Sequence, residues 1–471
     1  MNWEEFRARG KDAANWAADY HAGLRERPVR AQTRPGEILA ALPLSAPDTA
    51  EPIDDILADL DSTIMPGMTH WQHPRFFAYF PANAAPISAL AETYVNTIAA
   101  NCLLWQASPA ATELETRTCD WLRQAVGLPE GFAGVIQDSA STATLCAVLT
   151  MRERTLEWAG NAKGLAGQAT LRVYCSAEVH TSIDRAIWIS GIGEHNLVRI
   201  PSMGPTRAMD IKALKAAIAA DRVAGLVPAG IIACVGGTSA GATDDIAAVM
   251  DVAEAEGIYT HIDAAWAGAA MICPEFQPLW EGVQRADSIV LNPHKWLGAQ
   301  FDCTAHFLRD PSSLVKTLAI QPEYLKTHGA DGIINYSEWS VPLGRRFRAL
   351  KLWFLLRAHG LDGLRDMIRN HVDWAQGLAE RLRALPDFRI VTDPMLSLFT
   401  FVYAPEGTDN LDEINQTLIN VINDDGRIYL TQTRIDGALV IRFQAGAFTC
   451  KKEDVDMAYD VILELARKML P

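Results

Sequence analysis

No stretch of this chain runs for about 18 or more apolar residues without interruption, so nothing in it would cross a bilayer as a helix. Basic residues are in the minority: 42 Lys and Arg stand against 57 Asp and Glu, giving a net charge of −15 and a pI near 5.2. No basic run offsets that balance, which argues against nucleic acid or an anionic membrane surface as a partner. Metal-ligand patterns are missing too. The eleven histidines form no HExxH or Cys-His pattern, and the eight cysteines show no paired spacing, so no metal site is expected. Most cysteines lie in apolar runs such as Ile232-Ala233-Cys234-Val235, which reads as reduced core thiols rather than disulfides. No Gly-x-Gly-x-x-Gly opens a helix after a strand and no Walker A loop occurs, which weakens nicotinamide and nucleotide readings. Met1 to Arg7 lacks the basic flank and apolar core of a signal peptide, and a cytoplasmic location is expected. There is no internal repeat or low-complexity segment.

What is present is an ordinary globular composition over 471 residues, long enough for two or three domains. Residues 1–84 read as a helical segment with little core of its own. Ile53, Ile56, Leu57, Leu60 and Ile64 follow the spacing of one helix face, and Pro28, Pro35, Pro43 and Pro47 break the stretch before them. Residues 85–355 alternate strands and helices, as an α/β domain with a mostly parallel sheet should. Residues 356–471 read as a small α+β domain, with a helix from Leu361 to Leu385, strands over Leu396–Val402 and Ala438–Phe443, and a closing helix from about Glu453 to Met469.

The chemistry gathers at predicted strand ends. The apolar run Ser288-Ile289-Val290-Leu291 is closed by Asn292-Pro293-His294-Lys295-Trp296, which sets a lysine where a buried strand opens out. Thirty-two residues earlier a second apolar run ends in Asp263. A lysine that can condense with an aldehyde, with a carboxylate that can keep a pyridine nitrogen protonated, is the pair that pyridoxal phosphate chemistry requires. His180 follows the strand-like Leu171–Ser176, and Thr238 follows Gly230–Val235. Gly134-Val135-Ile136 leads to Ser139-Ala140-Ser141 at a helix start. Small hydroxyl residues there are ordinarily caps, but the same main-chain N–H groups and helix dipole make a phosphate cradle. Four candidates thus share the edge where open α/β sheets bind ligands.

These residues carry a resemblance. HPRFFAYFP (73–81), WQASPAATELE (105–115), GVIQDSAS (134–141), HIDAAWAG (261–268), ICPEF (272–276), ADSIVLNPHKWLG (286–298) and PLGRRFRALKLWF (342–354) resemble the blocks of group II pyridoxal-phosphate decarboxylases of the aromatic L-amino acid decarboxylase family. The likeness covers nearly the whole chain, and we identify it as a bacterial-type member. It departs from animal members, which carry Thr at Ala82 and Ile and Phe around Asn101 and Leu103.

The resemblance implies a fold type I enzyme: a large domain with a mostly parallel sheet, an N-terminal helical segment packed over a partner subunit in a homodimer, and a small C-terminal α+β domain. It implies that Lys295 holds pyridoxal 5'-phosphate, Asp263 its ring nitrogen, and Ser139, Ala140, Ser141 and Asn292 its phosphate. Thr238 and His294 are further cofactor residues, with Ala265 on one ring face and His180 on the other. Trp71, Tyr79, Phe80, Pro81, Asn101, Leu103 and Gly344 are the substrate-ring residues. Residues 318–338 are read as a lid whose Tyr324 returns a proton after carbon dioxide leaves. Relatives with Phe at that position tend toward aldehyde synthesis, so Tyr324 with His180 favours simple decarboxylation. Three readings stay open: decarboxylation of an aromatic amino acid, an oxygen-consuming aldehyde synthase, and a non-catalytic binding relative. An aminotransferase is weakened because the blocks match decarboxylases.

Overall fold

Apolar runs bounded by Gly, Pro and Asn become strands, and the longest of them are buried on both faces. The computed structural model describes residues 1–320 and 332–469. Its larger unit, Ala82–Asn370, is built on β1 (Ala133–Gln137), β2 (Leu171–Ser176), β3 (Leu197–Ile200), a two-residue hairpin β4 (Ser202–Met203) and β5 (Ala208–Met209), then β6 (Val227–Cys234), β7 (Tyr259–Asp263), β8 (Ser288–Leu291) and β9 (Thr304–Leu308). Seven of these form one sheet in the order β1-β9-β8-β7-β6-β2-β3. The run from β8 to β3 is parallel, and β9 is antiparallel to both its neighbours. Every residue of β7, β8 and β9 is buried. Burial on both faces is why their sequences show no alternation of exposed and buried positions, and why the polar side chains among them, such as His261, Ser288 and His306, bond to one another.

Helices cover the sheet closely. Helix Ala140–Thr155 and helix Ser182–Ile189 set Val148, Met151, Ile183 and Ile187 against Val173, Cys175 and Ile232. A Cβ at Gly230 would lie 2.2 Å from Met151 Sδ, so glycine there leaves the space that the Met151 side chain fills against β6. Helix Ile246–Glu256 starts on Asp245, whose carboxylate accepts from Ala248 N at 3.0 Å, and ends at Gly257 with φ of +66°. It therefore stops where the Asp245–Gly257 reading of the sequence places it.

The second unit comprises Met1–Pro81 together with His371–Pro471. Its sheet is antiparallel throughout, with β10 (Phe388–Met395), β11 (Leu398–Tyr403), β12 (Thr431–Ile435) and β13 (Ala438–Gln444) in the order β10-β11-β13-β12. Phe399, Phe401 and Phe443 meet Leu418 and Ile422 of helix Leu411–Asp425, and Val461 and Leu465 of helix Lys452–Lys468. The helix read from Leu361 onward is the second half of Ala349–Arg383, which Gly360 (φ 62°, ψ 171°) divides. Helices Trp3–Ala22 and Ile53–Asp59 bury none of their residues; Trp3, Phe6, Trp16, Ile56 and Leu57 are exposed. All eight cysteines are free and buried. Among the described residues no helix is long and apolar enough to cross a membrane, and no group of three or more His, Cys, Asp or Glu could hold a metal.

Candidate active site

The parallel run places several strand ends at one edge of the sheet. Cys234 of β6 pairs with Asp263 of β7, and Asp263 pairs with Val290 of β8. The β7–β8 ladder continues past the strands, with Ala264 N donating to Val290 O at 3.1 Å and Asn292 N to Ala265 O at 2.9 Å. Chain beyond β8 then turns tightly, Lys295 N donating to Asn292 O at 2.9 Å.

The lysine-bearing loop is strapped by residues 83–88. Asn83 donates through its main chain to His294 O (2.9 Å) and through its amide to Lys295 O (2.6 Å). Ala85 N reaches Gly298 O at 2.9 Å, and Gln300 N reaches Ser88 Oγ at 2.7 Å. Lys295 is partly exposed while Asn292, His294 and Trp296 around it are buried. That is the setting in which an amine can be presented without being freely solvated. Trp296 stacks on Trp266 at 5.0 Å and 15° beneath the same edge.

Two histidines are fixed as neutral donors at Nε2. Cys303 N donates to His294 Nδ1 at 3.0 Å, and Ser182 N donates to His180 Nδ1 at 3.1 Å, so in each ring the proton sits on Nε2. Burial, reinforced by Lys295, lowers His294 to about 3. Burial also lowers His180, with Asp263 pulling its pKa back up and Lys295 pushing it down. Asp263 and Lys295 thus both lie close enough to act on His180. Asp263 is nearly buried, and its Oδ1 accepts from Ala265 N at 3.0 Å.

The helix start reads as a cap and an anion cradle together. Ser139 is the extended N-cap of Ala140–Thr155, its Oγ accepting from Thr142 N at 3.2 Å. Ala140 and Ser141 open the helix, where main-chain N–H groups have no helical partner. Asn292 Oδ1 accepts from Thr304 Oγ1 at 2.9 Å, which leaves its NH2 as the available donor. Thr238 follows a turn in which Gly236 N and Gly237 N both donate to Ala242 O. Gly236 has φ of +80°, and a Cβ there would lie 2.5 Å from Ala267 Cβ, so this turn requires glycine. An amine, a buried carboxylate, a neutral imidazole and an anion cradle are the donor set that fits pyridoxal phosphate.

Asn101, Leu103 and Gly344 come together. Arg345 N donates to Asn101 Oδ1 at 3.1 Å, Cys102 N to Arg345 O at 2.9 Å, and a Cβ at Gly344 would lie 3.8 Å from Asn101 Nδ2. Leu103 O accepts from Ser337 N at 3.0 Å. In the smaller unit the aromatic stretch divides: Phe76 and Phe77 are core, Phe80 and Pro81 are buried, while Trp71 and Tyr79 are exposed and stack on each other at 5.8 Å. Arg442 donates to Tyr79 O and lies 4.6 Å over the Phe80 ring. Tyr324 lies outside the described residues, as do 321–331 of the expected lid. The far end of that lid reading is corrected, because Tyr336 and Ser337 are buried and Tyr336 packs edge-on against Trp339. Those aromatics belong to the core with Val135 and Leu314.

Sequence reading missed the supports behind the edge. Asp244 accepts from Cys234 N and Met209 N, each at 2.7 Å, and burial raises its pKa to about 6. Lys351 is fully buried, its Nζ 2.6 Å from Glu92 and 3.4 Å from Gln300 Oε1 in the lysine loop. No local signal marks either residue, since both act through contacts distant in sequence.

A model of the pyridoxal-dependent decarboxylase conserved domain matches residues 35–404. The chain is 39% identical to the aromatic-L-amino-acid decarboxylase of Mus musculus over 100% of this chain and 99% of that one. It is 38% identical to the phenylacetaldehyde synthase of Petunia hybrida over 99% and 95%. Among solved structures, Oryza sativa TDC with PLP and tryptamine superposes with a TM-score of 0.97 at 34% identity, covering 100% of this chain and 99% of that one. The expectation of a bacterial-type member is overturned, because the curated relatives at this level of identity are animal and plant proteins. Departures at a few pocket positions, on which the sequence differs from animal members, do not outweigh likeness along the full length.

Proposed function

Because this chain belongs to the pyridoxal-dependent decarboxylase family, among the aromatic-L-amino-acid decarboxylases, we propose how its own residues carry that activity. It is a pyridoxal 5'-phosphate enzyme that decarboxylates an aromatic amino acid to the amine and carbon dioxide. The observation that supports this assignment of roles best is the placement of His180, Asp263 and Lys295 at the ends of parallel strands of one sheet, with Asp263 and Lys295 both acting on the charge of His180.

When bound, the cofactor supplies the electron sink for breaking the bond between Cα and the carboxylate. Lys295 would hold its aldehyde, and the Asp263 carboxylate would keep a proton on the ring nitrogen. Ser139, through its main-chain N–H, with Ala140, Ser141, Asn292 and the Nε2–H of His294, would hold the phosphate, with Thr238 a further contact. Ala265 and His180 would support the ring, and His180 would orient the carboxylate to be lost. Tyr324 would return the proton to the substrate carbon. For the substrate ring, Trp71, Tyr79, Phe80, Pro81, Asn101, Leu103 and Gly344 are the residues to test.

We also infer a homodimer in the cytoplasm, with residues 1–84 as the dimerisation segment, 85–355 as the cofactor domain and 356–471 as the small domain. The exposed Trp3, Phe6, Trp16, Ile56 and Leu57 support it, since so much apolar side chain on helices without buried residues asks for a cover. Sedimentation equilibrium giving a monomer at micromolar concentration would sink the dimer.

The deciding experiment measures cofactor absorbance, then carbon dioxide and amine from dopa, tyrosine, tryptophan, 5-hydroxytryptophan and phenylalanine, with histidine and glutamate as controls. Amine equal to carbon dioxide from one aromatic substrate is the expected result. A second reading is favoured by the likeness to phenylacetaldehyde synthases of Petunia hybrida and Arabidopsis thaliana. Aldehyde with oxygen uptake would select it.

A further inference from the structure

The proton of Ser139 is spent inside the cradle. Ser139 Oγ donates to Asp138 Oδ1 at 3.0 Å while accepting from Thr142 N at 3.2 Å, with Thr142 Oγ1 also at 3.2 Å. A hydroxyl has one hydrogen. The N-cap side chain of Ala140–Thr155 therefore has none left for a phosphate oxygen, and a carboxylate oxygen stands one hydrogen bond from the mouth of the helix. Arg348 lies in the field of Asp138, but its Nη2 is bonded to Asp302 Oδ2 at 3.0 Å. A helix N-terminus ordinarily favours one anionic group, and here a side chain of the protein already supplies it.

We propose that Asp138 is an affinity-setting residue that weakens the hold of the cradle on the cofactor's phosphate, both by its charge and by occupying the Ser139 hydroxyl. The proposal rests on the assignment of that cradle to pyridoxal phosphate. It deepens that assignment: the cofactor is held in a site that carries a built-in competing anion, so it exchanges more readily than main-chain donors, Asn292 and His294 alone would allow. A purely structural Asp138 has the opposite sign. As a carboxylate at a helix start it stabilises the helix, and its loss would loosen the cradle and weaken binding.

The test titrates the full-length apoenzyme, wild type, Asp138→Asn and Asp138→Gly, with pyridoxal phosphate and with unphosphorylated pyridoxal, following quenching of tryptophan fluorescence. Asn keeps an acceptor for Ser139 and removes only the charge; Gly also frees the hydroxyl. The expected result is a Kd for pyridoxal phosphate lowered roughly tenfold in Asp138→Asn and further in Asp138→Gly, with the Kd for pyridoxal unmoved, as like-charge repulsion at a partly screened site predicts. Unchanged or weaker phosphate-dependent binding overturns the proposal, as does an equal gain for both compounds. A wild-type protein that binds neither compound overturns the cofactor assignment itself, and the proposal with it. Thermal unfolding of each apo-variant identifies one that has not folded. Should Asp138→Gly fail to fold, Asp138→Asn decides alone.

Discussion

Replacing Arg345 by Met tests how the larger unit holds the end of β1. Arg345 Nη2 donates to Glu115 Oε1 at 2.6 Å and to Ile136 O at 2.7 Å, and Ile136 N donates back to the same Glu115 oxygen at 2.9 Å. Both side chains are 3% exposed, so water cannot replace what is lost. Methionine fills much of the stem and leaves Glu115 as a buried carboxylate with one main-chain donor. Removing one partner of such a pair costs about 3–5 kcal/mol. Adding Glu115→Gln removes the stranded charge while keeping an acceptor for Ile136 N, so the double variant should cost only about 1–2 kcal/mol, the worth of the remaining lost bonds. The less damaged protein is thus the one with two changes. Urea unfolding of the four proteins of this cycle measures the coupling. Ile136 stands two residues before Asp138, so cofactor affinity should fall with the single variant and recover with the double. A single variant costing under about 1 kcal/mol, or a Gln that brings no relief, would refute the reasoning.

Other outcomes follow from the same structure. Lys295→Ala should take carbon dioxide release to background while the fold survives, and normal turnover would remove Lys295 from its role. Burial lowers His306 to about 3, so the unfolded chain, near 6.5, takes up a proton that the native state refuses. That contribution to stability is fully present above pH 6.5 and is lost as pH falls from there toward 3; His306→Met should therefore flatten the acid limb of stability by about 1.4 kcal/mol per pH unit, read from urea midpoints at several pH values. In Gly344→Ser the new Cβ would lie at ordinary contact distance, 3.8 Å, from Asn101 Nδ2. The substitution should change stability by less than about 0.5 kcal/mol while shifting the ratio of kcat/KM between aromatic substrates, and an unchanged ratio would take Gly344 out of the substrate set.

Local sequence held a good deal of this. The parallel strands were legible because burial on both faces favours short, largely apolar runs without alternation, as in residues 231–234 of β6 and 289–291 of β8. Ser139, Asp245 and Gly257 announced helix ends through chemistry confined to three or four residues. The end of the lid reading failed for a related reason: Tyr336 and Ser337 sit in a weakly periodic, polar stretch, and what buries them is packing with Trp339, Val135 and Leu314 rather than any local pattern. The aromatic stretch 73–81 likewise read as one cluster, whereas pairing of Phe77 with Tyr429 and Gln444 main chain commits part of it to the small sheet and leaves Tyr79 exposed.

By itself the sequence determined which residue types carry the chemistry and that each follows a strand, because motif, strand and cap are local properties of the chain. Only the tertiary structure decided the rest. Parallel pairing brought Asp263 level with Cys234 and Val290. Cys303 N and Ser182 N selected the tautomers of His294 and His180. Lys351, Glu92 and Asp244 became supports through partners up to hundreds of residues away. Electrostatics and hydrogen-bond direction depend on what is near in space, and Ser139 giving its one proton to Asp138 is visible only once the helix start is built.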